Sequence, residues 1–198
     1  HGATPLSLTF ARSPGGFYHN TLKDLWKIGQ ETAAHYGKEL KREDWGLVKH
    51  VFLADTKKEA MDIARHTSGL LMREYFEKTV GMPATDGDSD LIIDRMVDDG
   101  VWCIGTPDDL TEAIHALDDE SGGFGSLILL ATEVGSREQM LHSYELLARY
   151  VMPKFQGSLD GLVQSATHFS NLREKMAEER ENAQAKAGKD YEKLTKTF

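Results

Sequence analysis

Four short apolar runs, each followed by a stretch with apolar residues at helical spacing, constrain the fold of this chain more than any other feature. Pro5-Leu6-Ser7-Leu8-Thr9-Phe10 alternates apolar and polar residues and runs into the turn formers Ser13-Pro14-Gly15-Gly16. Leu22, Leu25, Trp26, Ala33 and Tyr36 then recur at helical spacing, with Asn20 or Thr21 as the cap and Gly37 where a left-handed closing residue belongs. Residues 45–54 (WGLVKHVFLA) read as a strand that exits through Asp55 and Thr56 into a helix carrying Ala60, Ile63, Ala64, Leu70 and Tyr75. Val101-Trp102-Cys103-Ile104, closed by Gly105, is a shorter strand, and Thr106-Pro107 is a strong start signal for the helix of Leu110, Ala113, Ile114 and Leu117. Residues 126–131 (SLILLA) read as a strand buried on both faces. Ser136 with Gln139 forms a capping box for a helix expected to stop at Pro153. This alternation of strand and helix calls for parallel pairing with right-handed crossovers, an α/β fold.

The segment at 83–90 (PATDGDSD) interrupts the pattern with turn formers and acids, so the stretch from 82 to 100 is expected to be an exposed excursion, either a mobile lid or a plain surface loop. Beyond Gly157 the character changes, and residues 171–198 are dense in Glu, Lys and Ala, a solvated helical tail. With 23 Lys and Arg against 32 Asp and Glu, the net charge of −9 opposes phosphate backbones and anionic lipid, so neither nucleic acid nor a membrane is expected as a partner. The single cysteine, Cys103, sits in an apolar run and cannot form an internal disulfide; a reducing, cytoplasmic setting follows as the expectation. No basic-then-apolar leader opens the chain, and it begins His1-Gly2-Ala3 without an initiator Met, which reads as a start downstream of translation initiation.

Chemical motifs are sparse. Asp86, Asp88 and Asp90 begin like a calcium loop, but the sixth position is Leu91 and the twelfth Val97, where glycine and a bidentate glutamate belong. The eight histidines lack metal-ligand spacing, and no nucleophile elbow, phosphate loop or dinucleotide fingerprint is present. Position then guides the search, because parallel α/β sheets gather function at the C-terminal ends of their strands. The loop after the first strand has the most chemistry: Arg12 could meet an anion and Ser13 could donate a hydroxyl, beside Gly15 and Gly16. The same residues also read as a plain turn with a surface arginine.

Three blocks carry a resemblance. Ile104-Gly105-Thr106-Pro107-Asp108-Asp109-Leu110, then Ser121-Gly122-Gly123-Phe124-Gly125, then residues 143–157 (SYELLARYVMPKFQG), in that order, resemble the C-terminal part of bacterial-luciferase-like flavin monooxygenases, in the limonene-monooxygenase-like branch. The resemblance extends over residues 1–157, leaving 158–198 as the charged tail. It implies the last three or so βα units of a (β/α)8 TIM barrel, with His1-Gly2 falling near the end of the fifth helix. A whole barrel takes about 250 residues, more than the 198 here. The resemblance further implies reduced FMN from a separate flavin reductase, in preference to coenzyme F420, and oxidation of a small hydrophobic substrate with dioxygen. No residue matches the family's acid/base histidine or the early-strand part of its flavin phosphate site, so the catalytic residues stay unassigned. Thr9, Phe10, Ala11 and Arg12 correspond to the pocket wall after the sixth strand, and with Ser13 they make Thr9, Phe10, Arg12 and Ser13 the candidate cofactor-binding residues.

An unclosed set of parallel strands leaves unpaired edges and an uncovered apolar face. A partner is therefore expected, either a missing N-terminal barrel segment or a second copy of the chain in an oligomer. Two functions remain open: part of a flavin-dependent monooxygenase, or a non-catalytic half-barrel serving as a structural or flavin-storing subunit.

Overall fold

The computed structural model describes residues 3–9, 21–81, 88–130, 132–157 and 160–195. Contacts divide the chain into two units, His1–Met152 and Pro153–Phe198.

The first unit is built on four strands, β1 (Leu6–Leu8), β2 (Gly46–Leu53), β3 (Trp102–Gly105) and β4 (Ser126–Leu130), all paired in parallel. The helices between them are α1 (Leu22–His35), α2 (Lys57–Leu71), α3 (Ser89–Asp98), α4 (Pro107–Ser121) and α5 (Arg137–Leu146). Start signals in the sequence act where expected. Thr21 with Asp24, Thr106 with Asp109 and Ser136 with Gln139 each form a capping box, and Thr56 caps α2, satisfying amide donors that a first helical turn leaves unpaired.

Strand β2 is the hub. Residues 46–48 pair with β1, 46–50 with β4 and 50–53 with β3. A strand has two edges, and β4 overlaps both of the other partners in register, so β1 and β3 share the edge opposite β4. Two glycines make this packing possible. A Cβ on Gly46 would lie 2.9 Å from Leu6 Cδ1 and 3.1 Å from Ile128 Cδ1, and one on Gly125 would lie inside the Glu43 carbonyl. The second contact lets the turn before β4 come down on the residues before β2, where Gly125 N–H donates to Trp45 O at 2.9 Å.

Side chains alternate across the sheet. One face carries Leu47, Lys49, Val51, Leu53, Cys103 and Leu127, and there α1, α4 and α5 bury Trp26, Trp45, Leu110, Leu117 and Leu146 against it. The opposite face carries Leu6, Leu8, Val48, His50, Phe52, Trp102, Ile104, Ile128 and Leu130. Helices α2 and α3 cover only its C-terminal half, where Phe52, Trp102 and Ile104 pack with Ala60, Ala64, Ile92 and Ile93.

Three expectations need correction. The stretch from 82 to 100 is not an exposed excursion along its described part: residues 89–98 form α3, and Ile92 and Ile93 are fully buried because they roof the sheet; residues 82–87 lie outside the described residues. Strand β4 is not buried on both faces, since Ile128 and Leu130 are exposed on the face that α2 and α3 cover only in part. Nor does the last helix of this unit stop at Pro153. A π-helical turn over Leu147–Val151 follows α5 and α6 (Met152–Phe155) follows that.

The second unit contains α7 (Asp160–Thr195), 36 residues long, whose described side chains are exposed except for a half-buried Leu172. Among the described residues no helix is long and apolar enough to cross a membrane.

Candidate functional site

The C-terminal ends of the strands converge on Thr9, Ala54, Thr106 and the segment from 132 to 135. Thr9 is buried, and both its amide and its hydroxyl donate to Val48 O at 2.9 Å. Its proton is thus spent on the sheet, which leaves the hydroxyl oxygen as an acceptor. Phe10, Ala11, Arg12 and Ser13 lie outside the described residues.

Halfway along β2, on the partly covered face, stands His50. Its ring stacks on Trp102 with centroids 4.4 Å apart and an interplanar angle of 19°, and Thr132 Oγ1 lies 3.5 Å from its Nδ1. Burial, and secondarily the positive charge of Lys49, pushes the His50 pKa down to about 4. At neutral pH the imidazole is therefore uncharged, and it can donate one hydrogen bond and accept another without bringing a charge into the site. The stack marks a boundary: towards the C-terminal end α2 and α3 close the face, and towards the N-terminal end it lies open. There Leu6, Leu8, Ile128 and Leu130, on the two strands that flank the start of β2, are 61%, 43%, 43% and 38% exposed. Water-facing apolar area of this continuity marks a surface built to be covered. Sequence reading placed His50 among the scattered histidines; its even-numbered phase with Val48 and Phe52 in WGLVKHVFLA was the signal that set it on this face.

The rim above the strand ends is polar. His142 Nε2 lies 3.1 Å from Asp55 Oδ1, with Glu145 3.9 Å from Nδ1, and Glu145 also meets Arg149 at 2.9 Å. Lys57 pairs with Asp109 at 3.2 Å. Just below, Ser143 Oγ accepts the buried Leu53 amide at 2.8 Å, tying α5 to the end of β2. Among the described residues no group of three His, Cys, Asp or Glu side chains is placed to hold a metal ion. Cys103 lies on the other face, where burial raises its thiol pKa to about 11, so it is not a nucleophile.

No protein-family model matches the sequence. Individual proteins do. The chain is 34% identical over 192 residues to limonene 1,2-monooxygenase of Rhodococcus erythropolis, covering 97% of this chain and 49% of that protein. It is 30% identical over 167 residues to 4-hydroxyprotoasukamycin monooxygenase of Streptomyces nodosus subsp. asukaensis, covering 83% of this chain and 44% of that protein. In three dimensions it resembles the oxygenating constituent of 3,6-diketocamphane monooxygenase from Pseudomonas putida, a type II Baeyer-Villiger monooxygenase solved in complex with FMN. The TM-score is 0.57 and the identity 27%, covering 76% of this chain and 42% of that one. The chain thus spans about half the length, or less, of each relative. With the parallel sheet, the order of its blocks and these likenesses together, the chain belongs to the bacterial-luciferase-like flavin-dependent monooxygenases, in their limonene-monooxygenase-like branch.

Proposed function

We propose that this chain forms one wall of the (β/α)8 barrel of a monooxygenase that uses reduced FMN and dioxygen to oxidise a small hydrophobic substrate, the reduced flavin coming from a separate reductase. The open apolar face carries this reading. Leu6, Leu8, Ile128 and Leu130 are placed as the inside of a barrel would place them, and either the remaining barrel segment or a second copy of the chain would cover them. Residues 1–157 would belong to the barrel and 158–198 to an appended tail, in a cytoplasmic protein that the single cysteine suits.

The residues present fit part of the flavin. An apolar wall ending in the His50–Trp102 stack suits a planar ring system, and Thr9 Oγ1 can still accept a hydrogen bond at the end of β1. Lys57 at the strand ends is already paired with Asp109, so the phosphate would draw on Arg12 and Ser13 or on the rest of the barrel. When bound, reduced FMN supplies the activation of dioxygen. This chain's own work is to keep water out and to orient the substrate. The roof of α2 and α3 seals the C-terminal half of the face, and the apolar side chains below it contribute burial without competing hydrogen bonds. His50, held uncharged and fixed by stacking, provides a directional polar contact in that dry surrounding.

The full gene product should bind FMN, read by quenching of flavin fluorescence, and should consume oxygen when a flavin reductase and NADH are supplied. Leu130→Asp should abolish flavin binding while leaving the far-ultraviolet circular dichroism unchanged. A gene product that stays monomeric, keeps this face open in solution and takes up no FMN would instead favour the non-catalytic half-barrel.

A further inference from the structure

The face of the sheet turned away from that wall has a cavity of its own. A half-open cleft of about 290 Å³ lies between β2 and β3, the inner side of α4 and the turn that joins α3 to β3. This is just under the range of drug-sized sites, so it holds a fragment-sized molecule. Val97, Ala113 and Leu117 give it apolar walls, and Lys49 lies among them.

Lys49 is 5% exposed in the middle of the central strand, a costly place for an ammonium group. Among the described residues its amine makes one hydrogen bond, donated to Gly100 O at 2.6 Å, out of the three it can donate. Burial lowers its pKa, and the nearby Glu120 carboxylate opposes the shift without reversing it. The nearby Lys57–Asp109 pair is internally compensated, and Asp109 is further engaged in capping α4, so neither neutralises the Lys49 site. Outside that pair the cavity wall carries two carboxylates, Asp99 and Glu120, and Glu120 acts on the Lys49 charge. Desolvation in an apolar cavity is what favours the neutral, nucleophilic form of a lysine amine.

We propose that Lys49 and this cavity form a covalent capture site for small aldehydes, separate from the flavin face and independent of the monooxygenase reading. The lone pair of the neutral amine attacks the aldehyde carbon, forming a C–N bond while the carbonyl oxygen gains a proton. The resulting hydroxyl then leaves as water, and the nitrogen loses its proton, leaving a C=N bond. One aldehyde is consumed and one water released, with no oxidation or reduction. Glu120, in the wall of the same cavity, would pass the proton between nitrogen and the leaving oxygen.

The folded protein would be treated briefly at pH 7 with propionaldehyde and sodium cyanoborohydride, whose hydride fixes any imine as a secondary amine, and mapped by peptide mass spectrometry. Lys49 should acquire the propyl group several times faster than the exposed Lys27 and Lys58. Ala113→Leu, which fills the cavity, should suppress labelling at Lys49 and leave those two lysines unchanged. Glu120→Gln, a change at a half-exposed position that spares the fold, should slow labelling at Lys49 alone. Labelling of Lys49 no faster than of the surface lysines, or only in denaturant, or at a rate neither variant alters, would overturn the assignment whatever the protein's flavin chemistry.

Discussion

Arg42 offers the sharpest test of how this unit is held together. Its guanidinium lies 4.5 Å from the centroid of Trp26 and 5.8 Å from that of Trp45, and its Nη1 donates to Ser121 O at 2.5 Å and Gly123 O at 3.0 Å. The side chain thereby joins α1, the start of β2 and the end of α4, and fixes the glycine turn that feeds β4 in beside β2. A charge-assisted hydrogen bond to a partly buried carbonyl is worth about 1.5–3 kcal/mol and a cation–π contact about 0.5–1 kcal/mol, with incomplete additivity. Arg42→Met, which keeps the aliphatic stem, should therefore lower stability by about 2–3 kcal/mol, or roughly 4–12 °C in melting temperature for a chain of this size. Arg42→Lys should recover less than half of the loss, because an ammonium cannot reach both carbonyls while stacking on the indoles. Urea denaturation followed by tryptophan fluorescence measures both. A loss under about 0.5 kcal/mol for the Met variant, the range of ordinary surface changes, would refute this account of the joint.

Three further outcomes follow from the site. His50 is uncharged in the folded state down to about pH 4 but takes a proton near pH 6.5 when unfolded, so stability should be constant above pH 6.5 and decline as the pH falls from there towards 4. The loss should total on the order of 3 kcal/mol, and His50→Phe should remove that component in denaturation curves taken at pH 7.5 and 5. Ser143→Ala strands the buried Leu53 amide and should cost about 1–3 kcal/mol by the same method, with Ser143→Thr restoring part of it if the methyl fits. Ile128→Lys, at an open position, should change the unfolding of this unit by no more than about 0.5 kcal/mol. It should nonetheless prevent association with the rest of the barrel or with a second copy, read by sedimentation; association that survives the charge would rule out this face as the contact.

Much of the local structure was legible because it depends on short-range chemistry. Asn20 or Thr21 marked the start of α1, Thr106-Pro107 that of α4, Ser136 with Gln139 that of α5 and Thr56 that of α2, while β-branched, aromatic and apolar residues marked β2 and β3. The candidate site was harder to read. The loop after β1 drew attention for its arginine and glycines, while His50 and Trp102, 52 positions apart in sequence, gave no joint signal; only register brings them to one rung of the sheet.

The sequence by itself determined that the strands are parallel, where most helices begin, and which resemblance the chain bears, since caps and apolar period act within a few residues and motif order is a property of the chain. Tertiary structure alone decided that β1 and β3 share an edge of β2, that α3 roofs the sheet, and that β4 turns Ile128 and Leu130 to an open face. These are choices among long-range contacts. A hydrophobic pattern states that a side chain is to be covered, and the packing of distant segments settles what covers it.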